Sequence, residues 1–167
     1  MAQEKLFITG ATGFIGSHVV QGALERGHHV RVSVRRDSQA ETLKQLFAAH
    51  SEKLEVVVVP DITQPDAFKH CLDAVDSILH IASPMPGKGE DFQTEYLDPA
   101  VRGTEAIFNA AQAAGSVKRV VITSSILACI PLGQMDAPDL VVKGETSSAS
   151  CYCGAFRQQR RRIADRH

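Results

Sequence analysis

Glycines in one short segment are the first candidates for chemistry in this chain. Thr9-Gly10-Ala11-Thr12-Gly13-Phe14-Ile15-Gly16 repeats glycine at every third position. Such a segment works only between a strand and a helix, where each glycine has its own task. Gly10 permits a tight turn, Gly13 lets the backbone approach a pyrophosphate, and Gly16 lets the helix pack closely on the sheet. The run from Gly10 through Ala11, Thr12, Gly13, Phe14 and Ile15 to Gly16 is therefore expected to contact a dinucleotide. Backbone amides at the helix start face the phosphates, and the helix dipole adds roughly 0.3–1 kcal/mol of attraction. The glycines alone fit a ligand-free turn equally well; a strand before and a helix after are what favour the nucleotide.

A second group of residues bears on which nucleotide. NAD-binding chains place an acidic residue at the end of the second strand, about 20 residues past the loop, to hold the ribose hydroxyls. Here that place is Val34, and Arg35 and Arg36 follow it. A guanidinium suits an added 2′-phosphate, because it offers a rigid fork of donors and stays charged. NADP (NADPH) is accordingly preferred over NAD, with Arg35 as the ligand. Both arginines also fit an ordinary solvated surface, and Asp37 is close enough to reach a ribose. Asp61 and Ile62 are placed to contact the adenine, by hydrogen bond and by packing; Asp61 serves equally well as the cap of a following helix.

These residues need a scaffold in which strands and helices alternate, and the sequence supplies one as far as Thr123. Leu6 to Thr9 reads as a strand, Phe14 to Arg26 as a helix closed by Gly27, and His29 to Val34 as a second strand. Ser38 reads as the cap of a helix carrying Leu43, Leu46 and Phe47, and the apolar run Leu54 to Val59 as a central strand buried on both faces. Pro65 to Leu72 is expected to be a short helix and Asp76 to Ala82 a fourth strand. Asp98 and Pro99 open a longer helix packed through Val101, Ala106, Ile107, Ala110 and Ala114 and ended by Gly115; Lys118 to Thr123 is the fifth strand. The expected fold is α/β, a doubly wound parallel sheet of the Rossmann type, truncated after the fifth strand. Residues 1–130 form an incomplete NAD(P)-binding domain, and residues 131–167 an irregular or disordered tail with no substrate domain.

Composition narrows the alternatives. The 167 residues are 44% hydrophobic and 22% charged, which suits one globular domain. A formal net charge of -1 gives no overall attraction to nucleic acid or to anionic membranes, so neither is expected as a partner. Met1 to Lys5 lead directly into a strand without the pattern of a secretory leader, and a cytoplasmic protein is expected. Cys71, Cys129, Cys151 and Cys153 lack zinc spacing and read as buried or idle thiols, and no metal is expected.

Taken together, these residues resemble an extended short-chain dehydrogenase/reductase of the NAD-dependent epimerase/dehydratase family. The branch resembled contains dihydroflavonol reductase, cinnamoyl-CoA reductase and the fungal ketone and aldehyde reductases. The match rests on the loop Thr9 to Gly16, Val34-Arg35, Asp61-Ile62, His80-Ile81-Ala82-Ser83-Pro84-Met85, Gly103-Thr104 and Val120 to Ser125. It implies that Ala82, Ser83 and Pro84 border the nicotinamide-side ribose and that Ser125, with Ser124 as the weaker candidate, is the catalytic serine. It also implies reversible hydride transfer between NADPH and a small aldehyde or ketone, with a tyrosine giving the proton and a lysine four residues on lowering that tyrosine's pKa. A non-catalytic nucleotide-binding module and an epimerase or dehydratase of the same superfamily are the alternatives.

The chain departs from that pattern in one respect: it contains no Tyr-x-x-x-Lys. Its tyrosines are Tyr96, followed at the fourth place by Ala100, and Tyr152, followed there by Phe156. Arg157 is five residues past Tyr152, off the face a lysine needs. Without a positioned acid, turnover is expected to fall by about 100- to 10,000-fold. From Arg157 onward the tail is crowded with arginine, as a solvated tail is. Leu140 to Val142 could add a short strand. The change of character after Lys143 reads as a truncated gene product, a retained intron or a shifted reading frame, and the oligomeric state is left open.

Overall fold

Parallel pairing organises the first unit of the chain. The computed structural model describes residues 3–83, 91 and 93–125. Contacts divide the chain into two units, 1–123 and 124–167; of the second, only Ser124 and Ser125 are described. Five strands, β1 (Lys5–Thr9), β2 (His29–Val34), β3 (Leu54–Val58), β4 (Ser77–His80) and β5 (Arg119–Ile122), form one sheet in the order β3-β2-β1-β4-β5. Every pairing is parallel. The expected doubly wound α/β fold is the one observed.

The layers follow from the alternation of side chains along β1. Leu6 and Ile8 enter one core cluster with Val30 and Val32 of β2 and with Val20 and Leu24 of helix α1 (Phe14–Glu25). Helix α2 (Asp37–Leu46) covers the same cluster through Ala40 and Leu43. Phe7 points the opposite way, into a cluster with Phe68, Leu72 and Ile78 and with Ala106 and Ile107 of helix α3 (Asp98–Ala114). Phe7 and Phe68 meet edge to face, their ring centroids 5.9 Å apart. A strand whose successive residues belong to different cores must be covered on both faces, which is why β1 is apolar throughout.

Helix ends are set locally. Gly27 and Gly115 take left-handed backbone, with φ of 86° and 66°, and stop α1 and α3 as expected of glycines just past a helix. Pro99 sits in the first turn of α3, where its missing N–H costs nothing. At the opposite end of the sheet, Asp76 fastens three strand starts together. Its carboxylate accepts the Lys5 backbone N–H at 2.9 Å and Lys118 Nζ at 2.7 Å.

Four local expectations are corrected. The helix after β2 begins at Asp37 with Arg36 at its cap, so Ser38 lies inside the first turn. The expected helix from Pro65 to Leu72 is replaced by successive turns over Pro65 to Cys71: their backbone bonds span three residues, as in Ala67 N–H to Gln64 and Lys69 N–H to Asp66. Among the described residues β3 pairs with β2 alone and so lies at a sheet edge, not at its centre. Its run of valines is apolar for another reason: Val56 packs on one core cluster and Val57 on the other, while Val58 is 40% exposed. On α3 the buried positions are Gly103, Ala106, Ile107 and Ala111, whereas Ala114 is exposed. Leu140 to Val142 and the arginine-rich tail lie outside the described residues.

Candidate functional site

The turn after β1 is shaped by two glycines that have no room for a side chain and one that does. Gly10 has φ of 76°, and a Cβ there would come within 2.7 Å of the Ala82 backbone nitrogen. A Cβ on Gly16 would run into the carbonyl of Gly10. Gly13 differs: its φ is -82° and an added Cβ would meet only the Gly10 oxygen, at 3.4 Å. Among the described residues, therefore, nothing demands glycine at position 13. Its bare backbone is open toward the cavity, which is what close approach of a pyrophosphate would require.

Helix α1 starts at this turn without a side-chain cap and without an acidic residue in its first turn. Gly13 gives its N–H to the Gly10 carbonyl at 3.0 Å and accepts that of Ser17 at 2.9 Å. The N–H groups of Phe14, Ile15 and Gly16 have no acceptor among the described residues. Three donors at the positive end of a helix dipole, with no acidic residue in the first turn to compete for them, are suited to an anion.

A cavity of about 600 Å³ opens beside these amides. Its floor is formed by Gly10, Thr12, Gly13 and Gly16, with Phe14 and Ile15 at the rim. One wall comes from the ends of β2 and β3 and the residues just beyond them: Ser33, Val34, Arg35, Gln39, Val59 and Ile62. The other wall, Ile81, Ala82 and Ser83, lies just past β4. The cavity thus sits at the carboxyl ends of the strands, where the sheet order reverses between β1 and β4, the place where open α/β sheets bind their ligands. A smaller cavity of about 90 Å³ adjoins it, sharing Ile62, Ala82 and Ser83 and adding His80, Thr104 and Thr123.

Arg35 stands exposed at the mouth, and its guanidinium makes no ion pair among the described residues. Asp61 is turned elsewhere. Its carboxylate accepts Gln64 Nε2 at 2.8 Å and both the N–H and the hydroxyl of Thr63, at 2.9 and 2.7 Å. Those bonds, Gln64 first, hold its pKa below the usual range, and the nearby charge of Arg35 adds to them. The second wall is tied to the end of β1 through Thr9, which is wholly buried: its Oγ1 lies 2.9 Å from His80 Nδ1 and accepts the Ile81 and Ala82 N–H groups, each at 3.1 Å. Burial lowers the His80 imidazole to about 4.

Of the residues singled out from the sequence, Gly10, Thr12, Gly13, Phe14, Ile15, Gly16, Arg35, Ile62, Ala82 and Ser83 line the one cavity. Ala11 is fully buried in the core beneath it, and Asp61 does not line it. Pro84 lies outside the described residues, and Ser125 belongs to the second unit. Sequence reasoning overlooked Gln39, Ser33 and Val59. Gln39 left a signal: it stands three residues past the helix cap, where a glutamine reaches back over the helix start. Among the described residues, no cluster of His, Cys, Asp or Glu is arranged to hold a metal, and no helix is long and apolar enough to cross a membrane.

Comparison with known proteins gives consistent results. A family model described as NAD(P)H-binding matches residues 10–145. The ketoreductase sphI of Aspergillus fumigatus is 42% identical over 132 residues, covering 79% of this chain and 38% of its own length. The NAD-dependent epimerase/dehydratase ALT6 of Alternaria alternata is 42% identical over 145 residues, covering 82% of this chain and 41% of its own. Among solved structures, the yeast methylglyoxal/isovaleraldehyde reductase Gre2 complexed with NADPH superposes with a TM-score of 0.81 at 32% identity, over 89% of this chain and 45% of that one. The chain therefore spans less than half the length of these relatives.

Proposed function

We propose, from the premise that this chain belongs to the NAD(P)H-binding family and is related to the extended short-chain dehydrogenases/reductases, that its cavity holds NADPH. The protein would be the cofactor-holding part of an oxidoreductase that moves hydride between NADPH and an aldehyde or ketone. The observation that carries this reading is the combination at one cavity of an open Gly13 backbone, three helix-start amides without acceptors, and Arg35. The ketoreductase and the methylglyoxal reductase among the relatives point to the same chemistry.

Each residue has a task in this reading. The amides of Phe14, Ile15 and Gly16 hold the pyrophosphate, and Arg35 pairs with the 2′-phosphate. Ile62 packs on the adenine, while Asp61, engaged with Thr63 and Gln64, acts on it only through the fold of that turn. Ala82, Ser83 and Pro84 border the nicotinamide-side ribose. NADPH, when bound, supplies the hydride. Ser125 would hydrogen-bond the substrate carbonyl, but no Tyr-x-x-x-Lys occurs in this sequence to deliver the proton. A domain spanning residues 1–130 and a cytoplasmic location are part of the same reading.

Titration of the purified chain with NADPH by fluorescence, followed by addition of small aldehydes and ketones, tests it. Binding with little or no turnover is expected. A folded chain that ignores both NADPH and NADH at millimolar concentration would remove the reading. A second reading, a relative of sugar-nucleotide epimerases and dehydratases, is favoured by the Alternaria relative. It predicts preference for NADH, which the same titration reports.

A further inference from the structure

Thr9 and His80 are buried, at 0% and 4% exposure, where the ends of β1 and β4 lie side by side, and His80 also lines the smaller cavity. Among the described residues Thr9 Oγ1 has three hydrogen-bond partners: the Ile81 and Ala82 N–H groups and His80 Nδ1. A hydroxyl offers one proton and two lone pairs. Backbone amides can only donate, so the two of them occupy both lone pairs. The hydroxyl proton is then left for His80 Nδ1, and that nitrogen must be an acceptor. This fixes the ring as a neutral imidazole carrying its proton on Nε2. Burial, which disfavours the charged ring, acts in the same direction.

The contacts around this hub show what it controls. Ala82 and Ser83 form one wall of the larger cavity and Gly10 part of its floor. The two surfaces approach so closely that a Cβ on Gly10 would come within 2.7 Å of the Ala82 nitrogen. We propose that His80 is a positioning residue of the dinucleotide cavity: by taking the Thr9 hydroxyl proton on Nδ1 it leaves Oγ1 free to hold the Ile81 and Ala82 amides, and so sets the Ala82–Ser83 wall against the Gly10 turn. The proposal rests on the reading that this cavity holds NADPH. In this role His80 acts through Thr9. If Nδ1 carried the proton, Oγ1 would face three donors with two lone pairs, and one amide of the wall would lose its partner.

Nitrogen NMR of the intact chain labelled with 15N-histidine tests the tautomer directly. Near neutral pH, His80 is expected to show an unprotonated Nδ1 and a protonated Nε2; a protonated Nδ1 overturns the proposal. The second measurement is NADPH affinity by fluorescence in variants checked for folding by circular dichroism. His80→Asn places an amide oxygen where Nδ1 stands, whereas His80→Gln places its amide near Nε2. The first is expected to retain affinity within about threefold and the second to lose about tenfold or more. Equal affinity in the two folded variants also overturns it. Thr9→Ser against Thr9→Val repeats the contrast with the imidazole left in place, and decides the matter if His80→Gln does not fold. A folded wild-type chain that binds no NADPH removes the reading of the cavity, and the positioning role with it, while the NMR result still reports separately on the hub.

Discussion

Arg35 donates its backbone N–H to Oε1 of Gln39 across the start of α2, at 3.1 Å. Because a backbone nitrogen can only donate, the Gln39 oxygen is the atom that faces it and the amide nitrogen is turned away. Gln39 lines the same cavity as Arg35. It fixes the backbone that carries the guanidinium. Gln39→Leu removes that brace, and NADPH affinity is expected to fall about fivefold while NADH affinity changes less. Parallel fluorescence titrations with the two coenzymes give the ratio; an unchanged ratio would show that Gln39 serves only the helix start.

Arg35 itself should matter more. A charge-assisted hydrogen bond contributes about 1.5–3 kcal/mol, so Arg35→Ala is expected to weaken NADPH binding roughly 10- to 100-fold. NADH, which lacks the 2′-phosphate, should bind the variant about as well as it binds the wild type. Raising the salt concentration should narrow the gap between the two coenzymes in the wild type and leave the variant nearly unchanged. Loss of both coenzymes together would place Arg35 outside the 2′-phosphate contact.

Gly13 and Gly16 are expected to separate affinity from stability. A side chain at Gly13 meets little of the protein but enters the cavity, so Gly13→Val should abolish NADPH binding and leave the melting temperature within a few degrees. A Cβ at Gly16 collides with the Gly10 backbone, so Gly16→Ala should lower the melting temperature as well. Thermal unfolding and NADPH titration of the two proteins, side by side, measure the difference.

Acidification should destabilise the fold through His80. The unfolded chain takes up its proton as pH falls through 6.5, whereas the folded chain resists until about 4. Between those values the unfolded state binds more protons, so stability is full above 6.5 and declines as pH drops toward 4. The depressed pKa corresponds to roughly 3 kcal/mol. Urea unfolding of the wild type and of His80→Asn at several pH values across this window isolates the contribution, because every other titrating group is shared. Parallel pH dependence in the two proteins would contradict it.

What was legible in the sequence was whatever the chain settles over a few residues. The glycine spacing of the loop, Val34-Arg35 at a strand end, and Pro99 and Gly115 around α3 each carry their reason in the immediate neighbourhood. The errors arose where a distant contact decides. Pro65 to Leu72 has helix-compatible residues but is pinned as turns while Phe68 seats itself against Phe7, in the core behind β1. Asp61 is a local case: Thr63 and Gln64, two and three residues on, engage its carboxylate, and the turns that follow leave no helix for it to cap. The Thr9–His80 pair, 71 residues apart in sequence, shows no local pattern at all. Gln39 was the exception, a missed residue whose capping-type spacing was visible.

Gly10 and Gly16 each abut main chain: a Cβ on Gly16 would meet the backbone of Gly10, and one on Gly10 the backbone of Ile81 and Ala82. Enlarging either residue cannot be relieved by trimming a neighbouring side chain, since the atoms in the way are backbone. A search for second-site suppressors of a Gly16 substitution should therefore recover changes that shift the whole helix, or none, and mutational drift through this pair is closed in both directions.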